Sequence, residues 1–173
     1  MVLVYVFVVI VGLYTALAAV FDLRLHRIPN YLTVPAALLG LAYHALLPGG
    51  WGILTSLAGF ALGFLFLLLP WILGGGGMGD VKLLAALGAW LGPAHVAIAF
   101  ALSVFLAAMI AVGIMIRHAF TQGVSATQRK YLSRGKRNNP HRSQGPVRVL
   151  PFAVPVAMST WGVLAWMLVR GNL

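Results

Sequence analysis

Leu73-Gly74-Gly75-Gly76-Gly77-Met78-Gly79-Asp80-Val81-Lys82-Leu83 is the stretch around which this chain is organised. It lies between two apolar runs and holds one of only two acidic residues in 173; the other is Asp22, and glutamate is absent. An ionisable group at the end of a long apolar run is costly to keep and marks a functional site by default. With twelve Lys and Arg in the same chain, the two acids are not there for solubility. They are read as a pair that meets in the folded protein.

Composition sets the class. Hydrophobic residues make up 61% of the chain and charged residues 8%, against roughly a quarter charged in a soluble domain. That is a polytopic membrane protein, and its length suits one domain, residues 1–173. The apolar runs are continuous rather than alternating, so the spans are predicted to be helices. Cysteine is absent, which excludes a disulfide framework, a thiolate nucleophile and a cysteine-based zinc site. The N-terminus is not expected to be a cleaved signal peptide, because the first positive charge, Arg24, follows the apolar run instead of preceding it.

Val2 to Phe21 is uncharged, and twenty residues at about 1.5 Å each cover the roughly 30 Å of a hydrocarbon core. A short polar link from Asp22 to Asn30 follows. The charge-free stretch Ile28 to Gly79 is too long for one span, and Pro48-Gly49-Gly50 divides it into helices expected at 31–47 and 53–73. The second carries Gly59-x-x-x-Gly63, a spacing that lets another helix approach closely. Leu83 to Ile116 is broken by Gly92-Pro93, predicting a short helix over 80–91 and a full one over 94–116. Residues 117–148 hold eight Lys and Arg and are read as a solvated basic loop, after which Val149 to Val169 forms the last span. The expected fold is all-α, an integral membrane bundle of six transmembrane helices with helix 4 short.

Charge gives the orientation. Three alternate links carry Arg24 and Arg27, Lys82, and the eight basic residues of the loop, whereas the other side has only Arg170. The positive-inside rule makes those three links cytoplasmic and leaves both termini outside. Asp22 and Asp80 then fall on the cytoplasmic side at similar depth. The basic loop is expected to rest on anionic lipid. Nucleic acid is not an expected partner, since no aromatics are interleaved there for stacking.

Two close carboxylates cannot easily both ionise, so one keeps a proton and the other does not. Such a pair can activate water, one group as base and the other as acid, and hydrolyse a peptide bond. The glycines before Asp80 would give the loop backbone freedom and let a substrate strand pass close by. Structural readings stand beside this one: Asp80 as the N-cap of helix 4, and Asp22 paired with His26 one turn on. Lys82 is read as an interfacial anchor, with tuning of Asp80 or a substrate contact as its functional alternative, and His26 as a candidate contact of Asp22. The five histidines show no paired ligand spacing, so neither a metal nor a cofactor is expected. Gly74-x-Gly76-x-x-Gly79 matches a dinucleotide fingerprint by letter but lacks the strand that gives it meaning. A small ion- or proton-coupled transporter using the paired carboxylates is the rival function, and a non-catalytic assembly subunit a third.

Gly77-Met78-Gly79-Asp80, followed by Val81-Lys82-Leu83, resembles the Gly-x-Gly-Asp signature of the type IV prepilin peptidase family of membrane aspartic peptidases. Asp22, with Arg27-Ile28-Pro29-Asn30 behind it, is similar to the family's first catalytic aspartate and its trailing segment. Pro151-Phe152-Ala153-Val154-Pro155 resembles the start of its last helix. The resemblance covers almost the whole chain. It implies Asp22 and Asp80 as catalytic residues, Gly77 and Gly79 as the loop presenting Asp80, and cleavage of the basic leader from prepilins or pseudopilins at the cytoplasmic face of the inner membrane. Long members carry a paired-cysteine domain after helix 1. Here that link is short and cysteine-free, which resembles the short form associated with Flp-type pili or archaeal-type filaments. N-methylation of the product, an activity of the long members, is not carried over.

Overall fold

The computed structural model describes residues 2–46, 52–73, 77–122 and 152–171, and among them every regular element is helical. In chain order these are α1 (Val2–Leu25), α2 (Asn30–Leu46), α3 (Ile53–Ile72), α4 (Met78–Gln122) and α5 (Ala153–Arg170). The expected turn at Pro48-Gly49-Gly50, the glycines 74–76 and the basic loop beyond residue 122 lie outside the described residues.

The break expected at Gly92-Pro93 is present. Gly92 has φ 72° and ψ 174°, a region open in practice only to glycine. Pro93 starts the following arm, where its missing N–H is no loss. The first arm of α4, 78–91, is about 21 Å long at 1.5 Å per residue, well short of the roughly 30 Å needed to cross. Four helical stretches are long and apolar enough to span: α1, α3, Met78–Arg117 and α5. With 17 residues, α2 reaches only about 26 Å. Against the six spans expected from the sequence, the described residues thus hold four candidate spans; α2 is slightly too short, and the half-length arm is part of the Met78–Arg117 stretch.

Residues up to Val104 pack with α5 as one compact unit, and the stretch from Phe105 belongs to a second. In that second stretch α4 continues as a helix whose apolar side chains, Phe105, Met109 and Val112 among them, are exposed. Within the first unit the short arm of α4 is the axis. Val81, Leu83, Leu84, Ala85, Ala86, Leu87, Ala89, Trp90 and Leu91 are all buried. A helix enclosed on every face is an interior helix.

Small residues allow that enclosure. A Cβ on Gly59 would run into the carbonyl oxygen of Gly88, and one on Gly88 into that of Gly59. Gly63 stands in the same way against Leu84, so the Gly59-x-x-x-Gly63 spacing serves backbone contact between α3 and α4. On the α2 side, Gly40 faces Trp90, and Trp90 Nε1 donates to the Ala36 carbonyl at 2.7 Å. The Tyr14 hydroxyl of α1 donates to the Leu83 carbonyl at 3.3 Å.

Where the arm stops at Gly92, its last carbonyls need donors, because a helix end leaves them unpaired and the interior offers no water. Ser56 Oγ donates to Ala89 at 2.6 Å, His44 Nε2 to Trp90 at 2.8 Å and His95 Nδ1 to Leu91 at 3.2 Å. In each histidine the nitrogen facing a carbonyl must carry the hydrogen. His44 is enclosed at 5% exposure, packed edge-on against Phe7 and Tyr43.

Alanine substitution separates contact glycines from idle ones. Gly59→Ala and Gly88→Ala should each lower the thermal midpoint by the equivalent of about 1–3 kcal/mol, since the backbones must part. Gly12→Ala and Gly162→Ala, with nothing within 4 Å of the added carbon, should leave the midpoint level or slightly higher. Thermal unfolding of the four variants in one detergent checks this.

Candidate active site

Asp22 lies in the last turn of α1, inside the helix and not in the link that follows it, because α1 runs on to Leu25 through the first charges. Its side chain is 8% exposed. Oδ2 accepts the backbone N–H of Ala153 at 3.0 Å, a buried hydrogen bond from the first residue of α5. Asp80 is half-buried in the first turn of α4. It is the third residue of that helix rather than its N-cap, and its own N–H bonds the Gly77 carbonyl at 3.1 Å. A carboxylate there also suits the positive end of the helix dipole. The two carboxyl groups lie within electrostatic reach of each other. The two acids that the sequence singles out are thus in electrostatic range of each other.

Gly77 and Gly79 differ in what surrounds them. Neither Gly77 nor Gly79 has the positive φ that the glycine run suggested. What Gly77 supplies is room: a Cβ there would stand 3.2 Å from Asp80 Oδ2. Gly79 faces Ile28, with ordinary contact distances of 3.4 Å or more for an added carbon. Lys82 points to α2, its Nζ donating to Asn30 Oδ1 at 2.9 Å in an exposed pair. Asn30–Lys82 and Ile28–Gly79 together hold the start of α2 beside the start of α4, and a Phe21–Tyr31 ring contact of 6.0 Å closes the link from α1.

The sequence profile of the type IV leader peptidase family matches residues 6–112, over half the chain, with both aspartates inside the match. This chain belongs to the type IV leader peptidase family. It is 38% identical to leader peptidase HopD of Salmonella typhimurium over 113 residues, 62% of this chain and 70% of HopD. It is 30% identical to the prepilin leader peptidase/N-methyltransferase of Aeromonas salmonicida strain A449 over 151 residues. That alignment takes in 84% of this chain and 44% of the Aeromonas protein, so the chain spans less than half of that relative. No solved structure matches significantly. Family membership together with several long apolar helices makes this a multi-pass membrane peptidase of the prepilin type, and the transporter reading loses its support.

In this leader peptidase His26 sits just past the end of α1 with φ 52°, the left-handed conformation that closes many helices. Its N–H bonds the Asp22 carbonyl at 2.9 Å, and its ring is exposed. The described link between His26 and Asp22 is thus through the backbone. Sequence reasoning missed the Ala153 N–H on Asp22 and the Asn30 partner of Lys82. The first had a signal, since Pro151-Phe152-Ala153-Val154-Pro155 reads as a helix start, where free N–H groups gather.

His26→Gly should raise stability by about 1 kcal/mol, because only glycine takes a left-handed φ without cost. Leader cleavage persists if His26 serves only to close α1. Loss of cleavage in a protein with a raised midpoint would instead assign the ring a substrate contact.

Proposed function

We propose that this leader peptidase is a membrane aspartic endopeptidase that removes the basic leader from type IV, Flp-like prepilins or pseudopilins, using Asp22 and Asp80 to activate water. One observation supports the reading: the only two carboxylate side chains in the chain, on α1 and α4, lie within electrostatic range of each other, in a chain of a leader peptidase family.

The pair shares one proton at the working state. The ionised member takes a proton from water as its oxygen attacks the scissile carbonyl carbon. The protonated member gives its hydrogen to the developing oxyanion. Collapse of that intermediate breaks the C–N bond; the proton first taken from water passes to the leaving amine, and one hydroxyl of the intermediate returns its proton to the other aspartate as the C=O re-forms, which restores the pair. The products are a leader ending in a carboxyl group and a pilin with a new amino terminus.

The six-helix arrangement counts α2 and divides Met78–Arg117 at Gly92 into two helices, and it has both termini outside. The ends of α1 and α4 that carry Asp22 and Asp80 also carry Arg24, Arg27 and Lys82. Positive charge at that end supports a cytoplasmic active site in the inner membrane, and the basic residues between 117 and 148 would settle on anionic lipid. The short link between α1 and α2, without cysteine, supports a short-form enzyme and hence the Flp-like substrate class. Lys82 and His26 remain candidates for substrate contact at the rim.

Asp22→Asn and Asp80→Asn should each abolish cleavage of a prepilin with a basic leader while the protein still inserts and purifies as wild type. Both changes keep side-chain size and remove the ionisation, so a chemical role predicts near-total loss. Substantial turnover by either single variant overturns the two-aspartate mechanism.

Gly77→Ala should impair cleavage more than Gly79→Ala. The first would crowd the Asp80 carboxyl, whereas the second meets Ile28 at ordinary distance. Initial rates measured side by side decide it, and equal rates would remove any role of Gly77 in presenting Asp80.

A further inference from the structure

Asp22 is tied to α5 by a single backbone donor, and a backbone donor is placed by the register of its helix. The two helices run antiparallel, and a second polar tie joins them. Trp161 Nε1 on α5 donates to Thr15 Oγ1 on α1 at 3.0 Å. Thr15 lies two helical turns before Asp22, and Trp161 lies about two turns after Ala153. At 1.5 Å per residue the ties are therefore about 11 Å apart along α1 and 12 Å along α5. The two bonds fit the same antiparallel register.

The chemistry of the second tie is complete. Thr15 is 1% exposed, and its hydroxyl donates to the Val11 carbonyl at 2.9 Å with the Gly12 carbonyl at 3.0 Å. That spends its one hydrogen and leaves an oxygen lone pair for the Trp161 indole. Trp161 itself is 48% exposed, on a face lined by Gly12, Leu13 and Leu168. In an apolar surrounding its N–H would otherwise go unpaired, which is costly. The indole thus has one polar place to go, and going there fixes how far α5 slides along α1.

We propose that Thr15 and Trp161 are positioning residues of the peptidase: their hydrogen bond locks α5 in the register that sets the Ala153 N–H on Asp22. With Oδ2 held by that amide, the carboxylate has one orientation instead of a rotating pair of oxygens, and its other oxygen is the one left for water. The inference rests on Asp22 being a member of the catalytic pair. A slip of α5 by a fraction of a turn would release Oδ2 without unfolding the bundle, because the apolar contacts along α1 and α5 have no directional preference. Small misplacements of catalytic groups cost up to about 100-fold in rate, so a partial release has a large readout.

The test uses the full-length protein in detergent with a basic-leader prepilin as substrate. Thr15→Val keeps the shape and removes the acceptor, Trp161→Phe keeps a ring and removes the donor, and Thr15→Ser retains the hydroxyl. Thr15→Val and Trp161→Phe should each lower kcat about tenfold with KM unchanged. The double variant should fall no further than the singles, because both remove one bond. Thr15→Ser should restore wild-type kcat. In protein labelled with 15N-alanine, the Ala153 amide should exchange with solvent faster in Thr15→Val than in wild type, while the thermal midpoint shifts little. Losses that add in the double variant, a kcat within twofold of wild type, or unchanged Ala153 protection would each overturn the proposal. Retained cleavage by Asp22→Asn would instead overturn the aspartyl reading. The Ala153 exchange measurement decides the register lock whichever way that comes out.

Discussion

A helix that stops inside an apolar interior must find donors for its last carbonyls, and most of this architecture meets that demand at Gly92. The first arm of α4 is buried on every side and ends where no water can serve it. Ser56 from α3, His44 from α2 and His95 from the next arm each bring a donor to one of its final carbonyls. Those partners reach their places because α3 lies backbone to backbone against the arm at Gly59 and Gly88, and because Trp90 ties α2 at Ala36. The caps at one end and the glycine contacts along its length hold the arm at one depth. Asp80, in the first turn at its other end, inherits that depth.

Asp22 is held by different means. It comes from α1, which meets the arm through Tyr14, and its carboxylate is fastened from outside by the amide of Ala153. One member of the pair is thus placed by an interior helix and the other by the contact of two peripheral ones. The two acids are held by independent parts of the structure, Asp80 by the packing of the arm and Asp22 by the contact of α1 with α5.

Much of this was legible from scarcity and punctuation. Two acids in an otherwise basic chain identified Asp22 and Asp80, and Gly92-Pro93 announced the break in α4 because no other residue pair so clearly ends one helix and starts another. Charge-free runs marked the helices but not their ends: α1 continues through Asp22 and Arg24, since a helix can carry charges at the edge of an apolar core. The burial of His44 was hidden because depth along a helix says nothing about which neighbour encloses it. The Ala153 donor was hidden for a deeper reason, as a backbone N–H has no residue type to betray it. The glycine at 77 was marked for attention on grounds of φ, whereas its use is empty space beside a carboxylate.

The half-length arm also bears on how the protein is made. At about 21 Å it cannot be held across a bilayer by its own hydrophobicity, and its terminal carbonyls would meet hydrocarbon if it entered alone. Ser56 and His44, which satisfy two of them, belong to segments synthesised earlier. Entry of the arm would therefore be favoured with α2 and α3 already in place, where Gly59 and Gly63 leave room for it. A change at Gly59 would then hinder that entry as well as loosen the finished fold.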